Sequence, residues 1–100
     1  MRQDEFIDVG NIKTRFWEAG SAGSTVLLLH GIGCSVLEWQ SNVEALAAHH
    51  RVLALDLMGF GLTDKPVDET YSLRRLAEFV LKFMDAKALR FWRRLEASIA

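Results

Sequence analysis

The sequence contains a single cysteine, Cys34, among its 100 residues, so no internal disulfide can form. This scarcity suits a reducing compartment, and we expect a cytoplasmic protein. The first residues, MRQDEF, carry charges where a signal peptide would begin its apolar run. No stretch approaches the roughly 18 consecutive apolar residues of a membrane span, so no membrane association is expected.

An excess of charge of either sign is also missing, because 12 Lys and Arg face 13 Asp and Glu. Nucleic acids and anionic membranes select strongly basic surfaces, so neither is an expected partner. His49 and His50 are adjacent and cannot share a helix face, so they do not indicate a metal site. A role in capping the end of a helix suits them better. We expect no metal and no cofactor.

Half of the residues are hydrophobic, and the length allows one domain at most. Two continuous apolar runs, TVLLLH (25–30) and RVLALD (51–56), have the length of strands that are buried on both faces. Between them, the apolar spacing predicts an amphipathic helix of about three turns, formed by Leu37, Val43, Leu46 and Ala47. Strand, helix and strand with short links predict a βαβ unit with parallel strands.

A β-hairpin is predicted before this unit, from EFIDV and IKTRFWE joined at Gly10-Asn11. A long helix is predicted after it, with Ser72 as N-cap. Its apolar face is Leu73, Leu76, Phe79, Val80, Phe83 and Met84, and the spacing continues through Leu89, Trp92, Leu95 and Ile99. The fold class is therefore α/β: an N-terminal hairpin, one βαβ unit and a long C-terminal helix.

Each buried strand is followed by a glycine-rich turn. The first glycine loop is HGIG (residues 30–33), and the second glycine turn lies in DLMGFGLTD (residues 56–64). A turn at the carboxyl end of a parallel strand presents main-chain N–H groups where α/β proteins bind ligands. Two such donors can stabilise an oxyanion, and glycine would avoid a side chain that blocks substrate or neighbouring backbone. Either turn alone could also be a turn without a site.

Taken together, HGIGCSVLEW and RVLALDLMGFGLTDKP resemble the N-terminal portion of the α/β-hydrolase fold family, over about residues 3–86. The matching positions are His30, Gly31, Trp39, Asp56, Gly59, Gly61, Thr63 and Asp64. The resemblance implies an incomplete α/β-hydrolase sheet. Residues 1–86 would form the N-terminal part of the domain, and residues 87–100 would be a divergent basic amphipathic tail.

The resemblance also implies roles for the first glycine loop, which is His30, Gly31, Ile32 and Gly33. The loop would supply one oxyanion-hole N–H, with Ile32 as the best match for the donor and Gly33 as the alternative. His30 would organise the loop and would not be the catalytic base. Gly33 stands where epoxide hydrolases and haloalkane dehalogenases often have proline, which slightly disfavours those two subclasses and leaves hydrolysis of an ester, a lactone or a carbon–carbon bond open.

The second glycine turn would be structural. Asp56, Gly59 and Gly61 would form it, and Asp56 is a poor candidate for the catalytic acid. Trp39 would pack the first helix under the loop.

The family's chemistry needs a Gly-x-Ser-x-Gly elbow, an acid and a histidine in that order, and no serine here has that spacing. We therefore assign no catalytic residue and expect no turnover by this chain alone. A small-molecule substrate is expected only for a full-length relative. Cys34 is a weak substitute nucleophile: a helix N-terminus would lower its pKa, but no histidine is placed to serve it.

Without a nucleophile strand beside it, strand 25–30 would be an open apolar edge, so self-association through it is a further expectation. Two other interpretations stay open. One is a dinucleotide-binding βαβ unit, which Val36 disfavours because it holds the third glycine position of that fingerprint. The other is a non-enzymatic interaction protein that uses the open edge or the tail. For the tail, a product of truncation or frame change is favoured over a surface-binding segment.

Overall fold

The computed structural model describes residues 3–87 and 95–99. Within them lie β1 (Glu5–Val9), β2 (Ile12–Ala19), β3 (Thr25–Leu29), a 3-10 helix (Val36–Trp39), α1 (Val43–Ala47), β4 (Arg51–Leu55), α2 (Leu73–Ala86) and β5 (Leu95–Ile99). The strands form one sheet in the order β1-β2-β4-β3-β5. The fold class predicted from the sequence is confirmed.

The predicted hairpin is present, with β1 and β2 antiparallel and Val9 opposite Ile12. Gly10 and Asn11 have φ angles of 55° and 68°. Two successive left-handed residues are what a type I′ hairpin turn requires, and glycine and asparagine adopt that conformation at the lowest cost. This turn fixes the register of the first two strands.

The βαβ unit is also present, because β3 and β4 pair in parallel with Leu27 opposite Leu53. Successive side chains of these strands point to opposite faces of the sheet, and both faces are covered. One core cluster, on the α2 side, includes Leu27, Leu53, Leu55, Phe79 and Phe83. The other, on the α1 side, includes Val26, Leu28, Val36, Val43, Val52 and Ala54. The continuous apolar runs are thus explained by burial on two sides.

The first helix differs from the prediction. Instead of three continuous turns from Leu37, the chain forms a 3-10 helix at Val36–Trp39 and a separate short helix at Val43–Ala47. The Ser35 hydroxyl accepts the Leu37 N–H at 3.2 Å and begins the 3-10 turn. Leu37 itself is 56% exposed, so it does not belong to an apolar helix face.

Helix α2 begins as predicted, since the Ser72 hydroxyl accepts the Arg75 N–H at 3.1 Å. Phe79 and Phe83 are buried against the sheet, and the Phe83 ring lies edge-on to Phe16 with centroids 5.7 Å apart. Leu73, for which the spacing predicts a place on the same apolar face, is 83% exposed. The helix ends at Ala86, so the prediction of a helix that continues to the end of the sequence is wrong for residues 95–99.

Residues 95–99 form strand β5, which pairs in parallel with β3. The expectation that strand 25–30 is an open edge is therefore wrong, because β3 lies between β4 and β5. A five-residue segment is too short to be stable as an isolated helix, whereas as a strand it can form main-chain hydrogen bonds with β3. Self-association stays a prediction without this premise. The rest of the predicted tail, residues 88–94 and 100, lies outside the described residues.

Lys87, the first residue of the predicted tail, packs on the described domain. Its ammonium lies 2.8 Å from a Glu18 carboxylate oxygen and 4.6 Å from the centroid of the Phe16 ring. The end of α2 is thereby tied to β2.

Candidate functional site

The first glycine loop begins at a histidine that is hydrogen-bonded on both ring nitrogens. His30 is 1% exposed, and its Nε2 accepts the Leu57 main-chain N–H at 2.9 Å. An N–H can only donate, so Nε2 carries no hydrogen and the proton is on Nδ1. Nδ1 donates to the Gly31 carbonyl at 2.7 Å. With both nitrogens used in this way, His30 holds the loop in place.

The chain beyond the loop is fixed by a buried carboxylate. Asp56 is fully buried, and its Oδ1 accepts the Val36 N–H at 2.8 Å. The segment from His30 to Val36 is therefore held at both ends by consecutive residues at the carboxyl end of β4, Asp56 and Leu57. Neither residue is adjacent to it in sequence, so this double attachment is a product of the parallel pairing of β3 and β4.

The main-chain N–H groups within the loop differ in their partners. The Gly31 N–H donates to Glu38 Oε1 at 3.4 Å, and the Cys34 N–H closes a turn on the Gly31 carbonyl at 3.0 Å. Within residues 3–87 and 95–99, the N–H groups of Ile32 and Gly33 have no acceptor. These are the two donors that the family resemblance implied, and no described residue accepts a hydrogen bond from either of them.

Gly33 is required by its backbone conformation. Its φ angle is 83°, as at the third position of a type II turn, where a residue other than glycine is strained. A Cβ at Gly33 would meet nothing within 4 Å in the described chain. The expectation that glycine avoids a clash with neighbouring backbone is therefore wrong at this position.

The clash argument holds at Gly61 instead. A Cβ there would lie 2.2 Å from Asp56 Oδ2, far inside contact distance. Because Gly61 has no side chain, the Asp56 carboxylate can approach the second glycine turn and accept the Leu62 N–H at 2.8 Å. Asp56 thus holds both glycine turns, which fits the structural role that the resemblance implied.

Thr63 and Asp64 attach the second glycine turn to β2. The Thr63 hydroxyl donates to the Asp56 carbonyl at 2.9 Å and accepts the Arg15 N–H at 3.0 Å. Asp64 Oδ2 accepts the Lys13 N–H at 2.8 Å. These bonds join the hairpin, the second glycine turn and the end of β4 into one hydrogen-bonded unit, which supports the first glycine loop.

Arg15 was not identified from the sequence. It is 6% exposed, and its Nε donates to Asp56 Oδ2 at 2.7 Å. Asp4 lies on its other side, with Oδ2 3.6 Å from an Arg15 terminal nitrogen and Oδ1 accepting the Trp17 indole N–H at 2.7 Å. One feature of the sequence could have identified Arg15. It is a basic residue inside the predicted strand IKTRFWE, with neighbours that the strand pattern predicts to be buried.

A groove opens beside the first glycine loop, with a volume of about 550 Å³. Ile32, which is 71% exposed, forms part of its wall. The other lining residues are Leu29, His30, Gly31 and Leu57 from the strand ends, and Leu73, Leu76, Ala77, Val80 and Leu81 from α2. The free N–H groups of Ile32 and Gly33 therefore belong to a loop that borders an apolar groove.

Cys34 follows the loop and is exposed. A hydrogen bond with Glu38, aided by some burial and by the charge of Glu38, raises the pKa of the Cys34 thiol above its ordinary value. The expectation that a helix N-terminus lowers this pKa is wrong, because the Glu38 carboxylate disfavours the thiolate.

The alternative of a dinucleotide site receives no support from Val36. Its side chain is fully buried in the core on the α1 side, and its N–H is donated to Asp56. Trp39 packs against the same core cluster, as expected, and its indole nitrogen is buried without a partner in the described chain.

The adjacent histidines end α1 through their main chains, since the His49 and His50 N–H groups donate to the Leu46 carbonyl at 3.1 and 3.0 Å. The His50 Nδ1 lies 3.0 Å from the Ser24 hydroxyl, and His49 is exposed. Among the described residues, no group of three metal-binding side chains lies together. None of the helices in that part of the chain has the length and apolar character needed to cross a bilayer.

Comparison with known proteins identifies one family. The family model described as "alpha/beta hydrolase fold" matches residues 24–90. Among curated proteins, the 2-hydroxy-6-oxo-6-(2'-aminophenyl)hexa-2,4-dienoic acid hydrolase of Metapseudomonas resinovorans is 41% identical over 76 residues. That match covers 73% of this chain and 26% of the relative.

Solved structures give the same result. A bacterial membrane phospholipase A aligns with a TM-score of 0.88 and 32% identity, over 98% of this chain and 31% of its own. The meta-cleavage product hydrolase of Pseudomonas fluorescens aligns with a TM-score of 0.81 and 30% identity, over 95% of this chain and 34% of its own. The chain thus spans between about a quarter and a third of the length of these proteins.

Proposed function

Because this chain belongs to the alpha/beta hydrolase fold family, we propose that it supplies the oxyanion-binding side of a hydrolase active site. In this proposal the Ile32 N–H, with Gly33 as the alternative, donates to the oxygen of a substrate carbonyl as that oxygen gains negative charge. Such a donor lowers the barrier because it is already in place when the charge develops.

The observation that carries the proposal is the pattern of main-chain hydrogen bonds in the first glycine loop. The N–H groups of Gly31 and Cys34 have acceptors, whereas those of Ile32 and Gly33 have none in the described chain. Two free donors on a loop that His30 and Asp56 hold at both ends have the properties of a preorganised anion site. The adjacent groove offers apolar contacts to the remainder of a substrate.

The substrate classes that we propose are esters, lactones and ketones that are cleaved at a carbon–carbon bond. The name of one similar protein supports the last class, because it is a hydrolase of a 2-hydroxy-6-oxo dienoic acid. The named 6-oxo dienoic acid contains no ester, so its hydrolysis must break a carbon–carbon bond next to the ketone. The phospholipase supports the ester class. All three reactions pass through an oxyanion on a former carbonyl.

We further propose that these 100 residues do not turn over substrate alone. They contain no serine in a Gly-x-Ser-x-Gly elbow, and the three histidines have other environments. Both ring nitrogens of His30 are engaged in hydrogen bonds, His50 contacts Ser24, and His49 is exposed. With p-nitrophenyl acetate we expect no rate above that of the denatured chain, and a reproducible excess would contradict this.

Anion binding tests the oxyanion proposal directly. We expect methylphosphonate, a tetrahedral anion, to shift the amide resonances of Ile32 and Gly33 in a saturable way. The Gly31 and Leu57 resonances should respond less, because those N–H groups already have acceptors. Uniform small shifts along the chain would contradict the proposal.

Two variants identify the donor. Ile32→Pro removes the Ile32 N–H at the second position of the turn, where proline is well tolerated. Ile32→Val is the matched control because it keeps the N–H and an apolar side chain. Loss of binding in the proline variant alone assigns the donor to Ile32, and unchanged binding in both assigns it to Gly33.

A further inference from the structure

The buried carboxylate of Asp56 receives N–H groups from three parts of the chain. Val36 donates to Oδ1 at 2.8 Å, while Leu62 at 2.8 Å and the Arg15 side chain at 2.7 Å both donate to Oδ2. Val36 follows the first glycine loop and Leu62 belongs to the second glycine turn. The orientation of one carboxyl group therefore determines the position of both turns.

Arg15 is the only basic side chain that contacts this carboxylate in the described part of the chain. A carboxylate that is withdrawn from water is strongly disfavoured without a compensating positive charge. The planar guanidinium supplies that charge and also a donor of fixed direction, which an ammonium group does not. Its main chain is fixed as well, because the Arg15 N–H donates to Thr63 and its carbonyl accepts the Asp56 N–H at 3.0 Å.

We propose that Arg15 is a positioning residue for the oxyanion site: its guanidinium sets the orientation of the Asp56 carboxylate, which fixes the loop that presents the Ile32 and Gly33 N–H groups. The role in an oxyanion site rests on the proposed function, whereas the hydrogen bonds that hold the loop do not. Asp4 contributes from the far side, where it pairs with Arg15 at 3.6 Å.

The position of Arg15 favours this role over a contribution to stability alone. Its bond to Asp56 acts on Val36 and Leu62 through a single shared carboxylate. An ion pair that served stability alone would have no necessary connection to a ligand-binding loop. Arg75 forms an ion pair of that kind in the same chain. Its guanidinium, in the first turn of α2, pairs with Glu69 at 2.9 Å.

The test uses isotopically labelled chain with three substitutions: Arg15→Met, Arg15→Lys and the control Arg75→Met. The first readout is hydrogen exchange of the Val36 and Leu62 amides relative to that of the Val52 amide, which lies inside β4. In Arg15→Met we expect the Val36 and Leu62 amides to exchange about tenfold faster or more on this relative scale. Arg75→Met should leave the ratio unchanged.

The second readout is the affinity for methylphosphonate. We expect Arg15→Met to weaken it by about tenfold, and Arg15→Lys, which keeps the charge, to recover part of the loss. A lower melting temperature in Arg15→Met, with wild-type exchange ratio and affinity, would overturn the inference. Should Arg15→Met fail to fold, Arg15→Lys decides: displaced Val36 and Leu62 resonances with an unmoved Val52 resonance support positioning, and three unmoved resonances overturn it.

The two proposals fail in different ways. If the wild-type chain does not bind methylphosphonate at Ile32 and Gly33, the oxyanion proposal is wrong, and the exchange ratios still decide whether Arg15 holds the loop. If the wild type binds and Arg15→Met binds equally well, the oxyanion proposal stands and the positioning role is wrong.

Discussion

The Nε2 atom of His30 accepts the main-chain N–H of Leu57 across 2.9 Å, joining the end of β3 to the residue that follows Asp56. The bond gives a histidine inside the first glycine loop a structural task. The bond also satisfies a ring nitrogen of a side chain that is only 1% exposed.

Replacement of His30 by alanine should destabilise the chain. The variant leaves the Leu57 N–H without its acceptor in a buried position, which typically costs about 1–3 kcal/mol. Urea unfolding followed by tryptophan fluorescence measures the loss. His49→Ala, at an exposed histidine, should stay within about 0.5 kcal/mol of wild type, and equal effects of the two variants would contradict the role assigned to His30.

The two glycine positions should respond differently to alanine. Gly33→Ala introduces only the strain of a left-handed φ, about 1–3 kcal/mol, because its Cβ meets no neighbour in the described chain. Gly61→Ala adds a clash with the Asp56 carboxylate at 2.2 Å and should cost clearly more. Thermal or urea unfolding ranks the two, and a Gly61 variant as stable as the Gly33 variant would show that Asp56 can move away.

Cys34 should react slowly with iodoacetamide. The hydrogen bond with Glu38, then burial and the charge of Glu38, raise the pKa of the thiol, so less thiolate is present at neutral pH than in free cysteine. Glu38→Gln removes the negative charge and should speed the reaction. Alkylation of the wild type as fast as free cysteine, or no gain in the variant, would contradict this assignment.

Acid should remove the contribution of Glu18. Burial raises the pKa of its carboxyl, but hydrogen bonds and ion pairs with Lys87 and Arg51 outweigh burial and leave the pKa below its ordinary value of 4.5. A carboxyl with a lowered folded-state pKa stabilises the fold fully above its unfolded value, and this stability is lost as pH falls through the folded pKa.

We therefore expect Glu18→Gln to lower the unfolding free energy by about 1 kcal/mol at neutral pH. The difference from wild type should shrink as the pH is taken below the ordinary value of 4.5. Melting curves across this range measure it, with Glu5→Gln as a control at an exposed glutamate. A difference that grows toward acid would show the sign to be wrong.

Self-association should depend on the groove rather than on strand 25–30. Ile32, Leu73 and Leu81 are 71%, 83% and 60% exposed around an apolar surface, and such patches favour contact between chains. Leu73→Lys with Leu81→Lys should lower the average mass measured by sedimentation at increasing concentration. Arg74→Lys, on the same helix, is the control, and equal masses for all three proteins would contradict the expectation.

The sequence predicted the elements whose pattern is local. Gly10 and Asn11 specify their turn, and runs such as Val26 to Leu29 mark strands that are buried on both faces. Residues 95–99 were misjudged because their apolar spacing fits a helix as well as a strand, and only the neighbouring β3 decides between them. Arg15 was missed for a similar reason, because its partner Asp56 is 41 residues away and its burial depends on tertiary packing.

The residues of the candidate site divide in the same way, into features set by local sequence and features set by tertiary packing. The order of the two glycine turns was readable, and the structure brings them together through Asp56 and Leu57. The resemblance implied Ile32 and Gly33 as donors, but the acceptor of the Gly31 N–H was not readable, since it depends on Glu38 reaching back to Gly31. A cytoplasmic location, the absence of a nucleic-acid partner and the boundary between residues 86 and 87 stay predictions.

The pairing of β5 with β3 has a geometric consequence. Ile99 lies opposite Leu29, so the two parallel strands finish at the same level. Neighbouring strands are about 4.8 Å apart, so the ends of β3 and β5 are direct neighbours at one edge of the sheet. The register of this pairing therefore sets which residues of β3 and β5 lie opposite each other, and a shift by one residue would exchange the faces of the sheet on which the β5 residues lie.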